Sequence, residues 1–211
     1  MSGVRLYKIF MAFTLAEVLI TLGIIGVVAA ITIPALNNAA RNAEFKPAIK
    51  KAYSMAQNAY NLSISENGGG FGPYSSGSTL SYTKFNAIKS KMNVISDCPY
   101  NTGSLGKCWA STGVGKFDAI PTNCQGFIVS NQNFNASFVT ADGAAWMLYT
   151  YSATTGADFI AVDVNGAKPP NDWGQDSFIM TMDDTKLILS TTCNFPRKDG
   201  TIITDFNYLL Q

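Results

Sequence analysis

Glu17 is the single charged residue between Phe13 and Leu36, a run of 24 residues that is otherwise apolar or small. At about 1.5 Å per helical residue the run reaches roughly 36 Å, enough to cross a bilayer. A carboxylate near the centre of such a segment costs on the order of 2.5 to 3.5 kcal/mol, so one kept there implies a partner and a role. Catalytic alternatives are few. The chain has no histidine, which excludes Ser-His-Asp and Cys-His catalysis and every His-ligated metal site.

Two further groups of residues carry chemistry. Cys98, Cys108, Cys124 and Cys193 all lie beyond the apolar run, and an even set in an oxidising compartment implies two disulfides among three connectivities. We favour Cys98 with Cys108, across a short loop holding Pro99, Asn101 and Gly103, and Cys124 with Cys193. A zinc tetrad is the competing use, but spacings of 10, 16 and 69 residues lack the close pairs of structural zinc sites. The second group is Asp163-Val164-Asn165-Gly166 continuing to Asn171-Asp172-Trp173-Gly174-Gln175-Asp176. Asp163 and Asn165 offer alternate oxygens, Gly166 turns the chain, and Asp172 or Asp176 could complete a calcium shell, although no glutamate closes an EF-hand spacing. The competing reading is a turn whose Asp and Asn side chains bond only their own backbone.

The elements that must position these groups follow from periodicity. Beyond Pro34, Leu36, Ala39, Ala40, Ala43, Ile49, Ala52, Tyr53, Ala56 and Tyr60 recur at helical spacing, predicting an amphipathic helix to about Ser63. Pro34 and Pro47 are where that long helix can bend. Asn67 to Pro73 is a Gly-rich turn without the Lys and Ser/Thr of a phosphate loop. A second, shorter helix is expected over 79–94. Strands are expected over 126–130, 137–140, 144–151, 158–164, 177–182 and 186–191, with Asp142-Gly143 and Asn165-Gly166 as turn signals. The expected fold is therefore α+β, a long N-terminal helix packed on a C-terminal antiparallel sheet. The expected boundaries are 1–12 as a leader, 13–36 as the membrane helix, 37–63 as its amphipathic continuation and 64–211 as the globular domain. Net charge is +1 with 14% charged residues, so nucleic-acid binding is not indicated. Trp109, Trp146, Trp173, Tyr149 and Tyr151 offer either an adhesive, glycan-binding patch or core filling.

Phe13-Thr14-Leu15-Ala16-Glu17, the apolar run behind it and Pro34 together resemble the N-terminal segment of type IV pilins and type II secretion pseudopilins. The resemblance covers about the first fifty residues. It implies cleavage between Ala12 and Phe13 by a prepilin peptidase, N-methylation of Phe13, and pairing of Glu17 with the N-terminal amine of a neighbouring subunit. Ala12 stands where the family most often has Gly. Arg5 and Lys8 in the leader fit a cytoplasmic N-terminus. The resemblance further implies a non-enzymatic filament subunit, with other pilins, an assembly ATPase and its platform protein as partners. Such a subunit sits in the bacterial inner membrane before assembly and in a periplasmic or extracellular filament afterwards. The 163–176 loop is similar to the DVNG-K-GPN-type loop of many pseudopilin-like proteins, with Pro169 in place of the usual Gly. Major pseudopilins bind calcium in a comparable region, so calcium is the one cofactor implied. Two other readings of the N-terminus stand beside this one: a secretory signal cut after Ala30, and a plain single-span anchor. The functional alternative is a membrane-tethered or secreted binding protein with no filament role.

Overall fold

The structure is a computed structural model that describes residues 14–71, 78–99, 106–110, 136–150, 158–190, 195–196 and 200–211. Two helices come first, α1 (Leu15–Glu66) and α2 (Ser78–Ser90). Eight strands follow: β1 (Val94–Cys98), β2 (Ser137–Thr140), β3 (Ala145–Thr150), β4 (Asp158–Asp163), β5 (Ser177–Met182), β6 (Leu187–Leu189), β7 (Phe195–Pro196) and β8 (Ile202–Ile203). A short 3-10 helix, Asn207–Leu210, closes the described chain. The chain divides into two compact units, Met1–Ala43 and Glu44–Gln211.

In the first unit the stretch Leu15–Ile33 is long and apolar enough to cross a membrane, and none of it is buried. Its large side chains stand exposed, Leu15 at 78% and Ile31 at 70%. A helix apolar on all sides and unburied needs an apolar surrounding other than its own fold. A signal sequence near an N-terminus has the same length and composition.

In the second unit the sheet is a six-stranded meander in the order β1-β2-β3-β4-β5-β6, every neighbouring pair antiparallel. The remaining part of α1 lays Phe45, Ile49, Ala52, Ala56, Ala59 and Tyr60 into the core. From Phe45 to Ala59 the steps alternate between four and three residues, and Tyr60 lies four beyond Ala56, which keeps them on one helical stripe. From α2 come Phe85 and Ile88, and Phe85 packs on Phe138 of β2 at 5.2 Å between ring centroids. Phe138 is the register partner of Trp146 and stacks on it at 5.9 Å. Strand β4 is buried at every position, so the sheet is covered on both faces there. A second aromatic group, Trp173, Phe195 and Phe206, has centroid distances of 5.0 to 6.4 Å. The fold is thus α+β, as expected.

Helix α2 ends four residues sooner than expected, at Ser90, because Val94 to Cys98 pair with β2 instead. The adhesive-patch reading also fails for the three tryptophans. Trp109, Trp146 and Trp173 are 1%, 0% and 4% exposed and fill the core. Tyr151 and the expected strand 126–130 lie outside the described residues.

Candidate functional site

The head of α1 is built by four residues. Thr14 N–H and Thr14 Oγ1 both donate to Glu17 Oε2, at 2.9 and 2.8 Å. Glu17 N–H donates back to Thr14 Oγ1 at 3.3 Å. This is a capping box: the residue before the first turn and the third residue inside it satisfy each other's otherwise unpaired donors. Thr14-Leu15-Ala16-Glu17 carries the S/T-x-x-E spacing of that motif, a signal available in the sequence and passed over in favour of an intersubunit role for Glu17 alone. Among the described residues Glu17 Oε1 makes no bond, so one oxygen is left over.

The other polar side chains of Leu15–Ile33 are treated alike. Thr21 Oγ1 donates to the carbonyls of Glu17 and Val18 at 3.0 and 2.9 Å, and Thr32 Oγ1 to that of Val28 at 2.9 Å. Every hydroxyl in the apolar stretch is therefore bonded within its own helix, which is what a segment without access to water requires. Gly23 and Gly26 leave open space, with no atom within 4 Å of where a Cβ would stand. Pro34 lies inside α1. Ala12 and Phe13, the expected cleavage and methylation positions, lie outside the described residues.

The second constellation is the connection between β4 and β5. Asp163 ends β4 and Ser177 opens β5 directly opposite it. Antiparallel pairing thus fixes both ends of the loop and draws Asp163 and Asp176 together. Ser177 Oγ donates to Asp163 Oδ2 at 3.1 Å and lies 3.4 Å from Asp176 Oδ1. Asp176 accepts the backbone N–H of Asn171 at 2.8 Å and of Asp172 at 2.7 Å, and Asp163 Oδ1 accepts that of Asn165 at 3.2 Å. Gly166 takes φ +69° to make the turn, and the Pro169–Pro170 bond is cis. Burial, and then the Asp176 carboxylate, push the Asp163 carboxyl up to about 8, against hydrogen bonds from Ser177 and the Asn165 and Gly166 backbone. Burial pushes Asp176 up as well. Both buried carboxyls are thereby shifted toward their neutral form.

Asn171, missed in the sequence, sits at the centre of this loop. It is 4% exposed and holds φ 48°, a left-handed conformation that Asn tolerates. Turned with its nitrogen inward, the carboxamide donates toward Lys168 O at 3.0 Å, Gly166 O at 3.1 Å and Asp163 Oδ2 at 2.9 Å; turned the other way, its oxygen faces only acceptors. Nearby, Asn165 Oδ1 is buried with no hydrogen-bond partner, while Asn165 Nδ2 donates to Pro169 O at 3.2 Å. The loop therefore collects Asp163, Asn165 and Asp176 as expected, and adds Asn171 and two backbone carbonyls. Asp172 donates its N–H to Asp176 Oδ1 and accepts the N–H groups of Gln175 and Ser177 at its carbonyl. Among the described residues no three acidic or cysteine side chains converge in metal-ligand geometry. The Gly166 and Lys168 carbonyls and Asp163 Oδ2 instead face the Asn171 carboxamide nitrogen.

Cys98 and Cys108 form a disulfide with Cα atoms 6.1 Å apart. It ties the end of β1 to the short turn that presents Trp109. Cys124 and Cys193 lie outside the described residues. No protein-family model, curated protein or solved structure matches this chain.

Proposed function

We propose that this chain is a non-enzymatic structural subunit of a filament of the type IV pilus or type II secretion pseudopilus kind, held in the membrane and later assembled through the first part of α1. The observation that carries the reading is the helix Leu15–Ile33, unburied over its whole length, with its hydroxyls closed on its own backbone and a capped acid at its head. Small residues at Gly23 and Gly26 let such helices approach closely. Glu17 gives its Oε2 to Thr14 and keeps Oε1 for the N-terminal amine of a neighbour. That pairing in an apolar bundle is tolerable where either charge alone is costly. Prepilin peptidase, an assembly ATPase, its platform protein and other pilins are the partners this function requires.

The deciding experiment is intact-mass and N-terminal peptide analysis of the protein from membrane and sheared surface fractions. A chain beginning with N-methylated Phe13 is expected. A chain beginning at Ile31 would replace the proposal by secretion through an ordinary signal sequence.

A second reading concerns the 163–176 loop, which we propose binds calcium. Its support is the gathering of Asp163 Oδ2, Gly166 O and Lys168 O about the Asn171 carboxamide, and the buried Asn165 Oδ1 without a hydrogen-bond partner in the same loop. Calcium would supply the positive charge that the Asp163 and Asp176 carboxyls lack and would brace the β4–β5 connection. Calorimetric titration of the full chain in detergent with calcium chloride tests it, and no heat of binding at millimolar calcium would refute it.

A further inference from the structure

The chain holds two Asn-Gly pairs, Asn67-Gly68 and Asn165-Gly166. In such a pair the glycine backbone nitrogen can reach the asparagine Cγ, because glycine has no Cβ to obstruct the approach and its backbone turns freely. The structure puts the two pairs in opposite surroundings. Asn67 stands at the end of α1, where Gly68 N–H donates to Ser65 O at 3.3 Å and Gly69 N–H to Ile64 O at 2.9 Å. These are the two bonds by which a glycine at positive φ closes a helix. Gly68 and Gly69 hold φ +78° and +109°, and nothing lies within 4 Å of where either Cβ would stand. All three residues are exposed. Opening this turn therefore breaks a cap and moves no core side chain, which places it at the low end of local stability.

Asn165-Gly166 is enclosed. Gly166 is buried, and a Cβ on it would stand 2.6 Å from Gly143 O. Its N–H donates to Asp163 O at 3.3 Å. Asn165 is tied at both amides, its backbone N–H to Asp163 Oδ1 and Nδ2 to Pro169 O, each at 3.2 Å. Strand pairing of Asp163 with Ser177 fixes both ends of the loop. Bringing the Gly166 nitrogen onto Asn165 Cγ means pulling a buried turn away from its neighbours, at a higher opening free energy than fraying a helix end.

We infer that Asn67 is a site of spontaneous covalent modification, its side-chain amide lost through attack by the Gly68 nitrogen, while Asn165 with the same neighbour is spared. The bond from Gly68 N to Asn67 Cγ forms as the Asn67 Cγ–Nδ2 bond breaks, and the Gly68 amide hydrogen leaves with Nδ2 as ammonia. Water then opens the five-membered imide at either carbonyl, which leaves aspartate or its β-linked isomer. Nothing is oxidised or reduced. The product alters the end of α1. Asn67 Nδ2 donates to Ser63 O at 2.8 Å, and a carboxylate in its place can only repel that carbonyl. The new charge also stands next to Glu66, whose Oε1 already holds Lys91 Nζ at 2.6 Å, at the helix end where negative charge is unfavourable. The inference depends on neither the filament reading nor the calcium reading.

The test is peptide mapping by mass spectrometry of the full chain in detergent, held folded or in urea in mildly alkaline buffer made with heavy-oxygen water. The heavy oxygen marks conversion during the incubation and not during digestion. In the folded chain the peptide with Asn67 is expected to take up one heavy oxygen and split into two chromatographic forms, about tenfold or more faster than the peptide with Asn165 converts. In urea the two peptides should convert at similar rates, since only the shared Asn-Gly pair then governs them. Asn67→Gln, which would have to close a six-membered ring, should keep its amide. Equal rates for the two peptides in the folded chain would overturn the inference, and so would an Asn67 that stays intact over the time in which the unfolded chain converts. Asn67→Asp reproduces one product and should speed amide exchange at Gly68 and Gly69 roughly two- to fivefold. Unchanged exchange there would overturn the loosening of the helix end.

Discussion

Lys84 Nζ lies 3.0 Å from Asp158 Oδ2, with both side chains almost fully buried, at 3% and 1% exposure. The lysine also donates to Met182 O at 3.3 Å, so one ammonium ties α2 to β4 and β5. Removing one member of a buried pair leaves an uncompensated charge, at a cost of about 3 to 5 kcal/mol, whereas replacing both by apolar groups can be nearly neutral. Lys84→Met is therefore expected to lower the denaturation midpoint strongly, and Lys84→Met with Asp158→Leu to recover most of the loss. A single variant as stable as wild type would show that the pair contributes nothing.

Thr14→Ala should loosen the first turn of α1 without affecting insertion. A lost cap costs about 1 kcal/mol, or roughly fivefold in the opening equilibrium of that turn. Amide exchange at Ala16 and Glu17 in a membrane mimic is the readout, with Thr14→Ser expected to behave as wild type.

The Cys98–Cys108 disulfide closes a loop of ten residues' separation, for which a contribution of about 2 to 4 kcal/mol is typical. Reduction is expected to lower the melting temperature of the domain. Hydrogen exchange should also rise first in β1, the edge strand it anchors.

The Asp142 carboxyl is half-sheltered, which by itself raises it, but hydrogen bonds from Lys51 and Thr140 bring it below its ordinary value. Lys51 Nζ stands 2.8 Å from Asp142 Oδ2. A lowered acid stabilises the fold at pH values above its unfolded pKa, and that contribution is lost as pH falls through the folded one. Lys51→Ala should consequently lower stability modestly at neutral pH, with the difference from wild type shrinking as pH falls through the Asp142 range. A difference that does not change with pH would remove the pair from the account.

Gly166→Ala should be among the most damaging small substitutions. The position has φ +69°, and a Cβ there would stand 2.6 Å from Gly143 O, a backbone atom that cannot step aside. Strain of order 1 to 3 kcal/mol is expected, read as a lowered denaturation midpoint.

Strands β2 to β5 were legible because Asp142-Gly143 and Asn165-Gly166 mark their turns and because Trp146, Ile160, Val162 and Ile179 are β-formers between them. Strand β1 was not. The middle three residues of Val94-Ile95-Ser96-Asp97-Cys98 face solvent, so the strand offers no burial pattern; only Val94 fell within an expected element, the helix before it. The candidate cation loop was legible in its acids alone. Asn171 escaped because an amide announces no charge, and carbonyl donors such as Gly166 O and Lys168 O have no sequence signature at all.

Each strand of the six-stranded sheet pairs with the next one along the chain, in the order β1 to β6. Among the described strands, β2 to β6 each find their partner next along the chain, whereas β1 must wait for β2 across residues 99–136. A polypeptide threaded across a membrane from its N-terminus can therefore zip this sheet one hairpin at a time as it emerges, using mostly short loop closures. Sequential pairing of this kind keeps at most one growing edge exposed and limits the time during which nascent strands of neighbouring copies could join edge to edge.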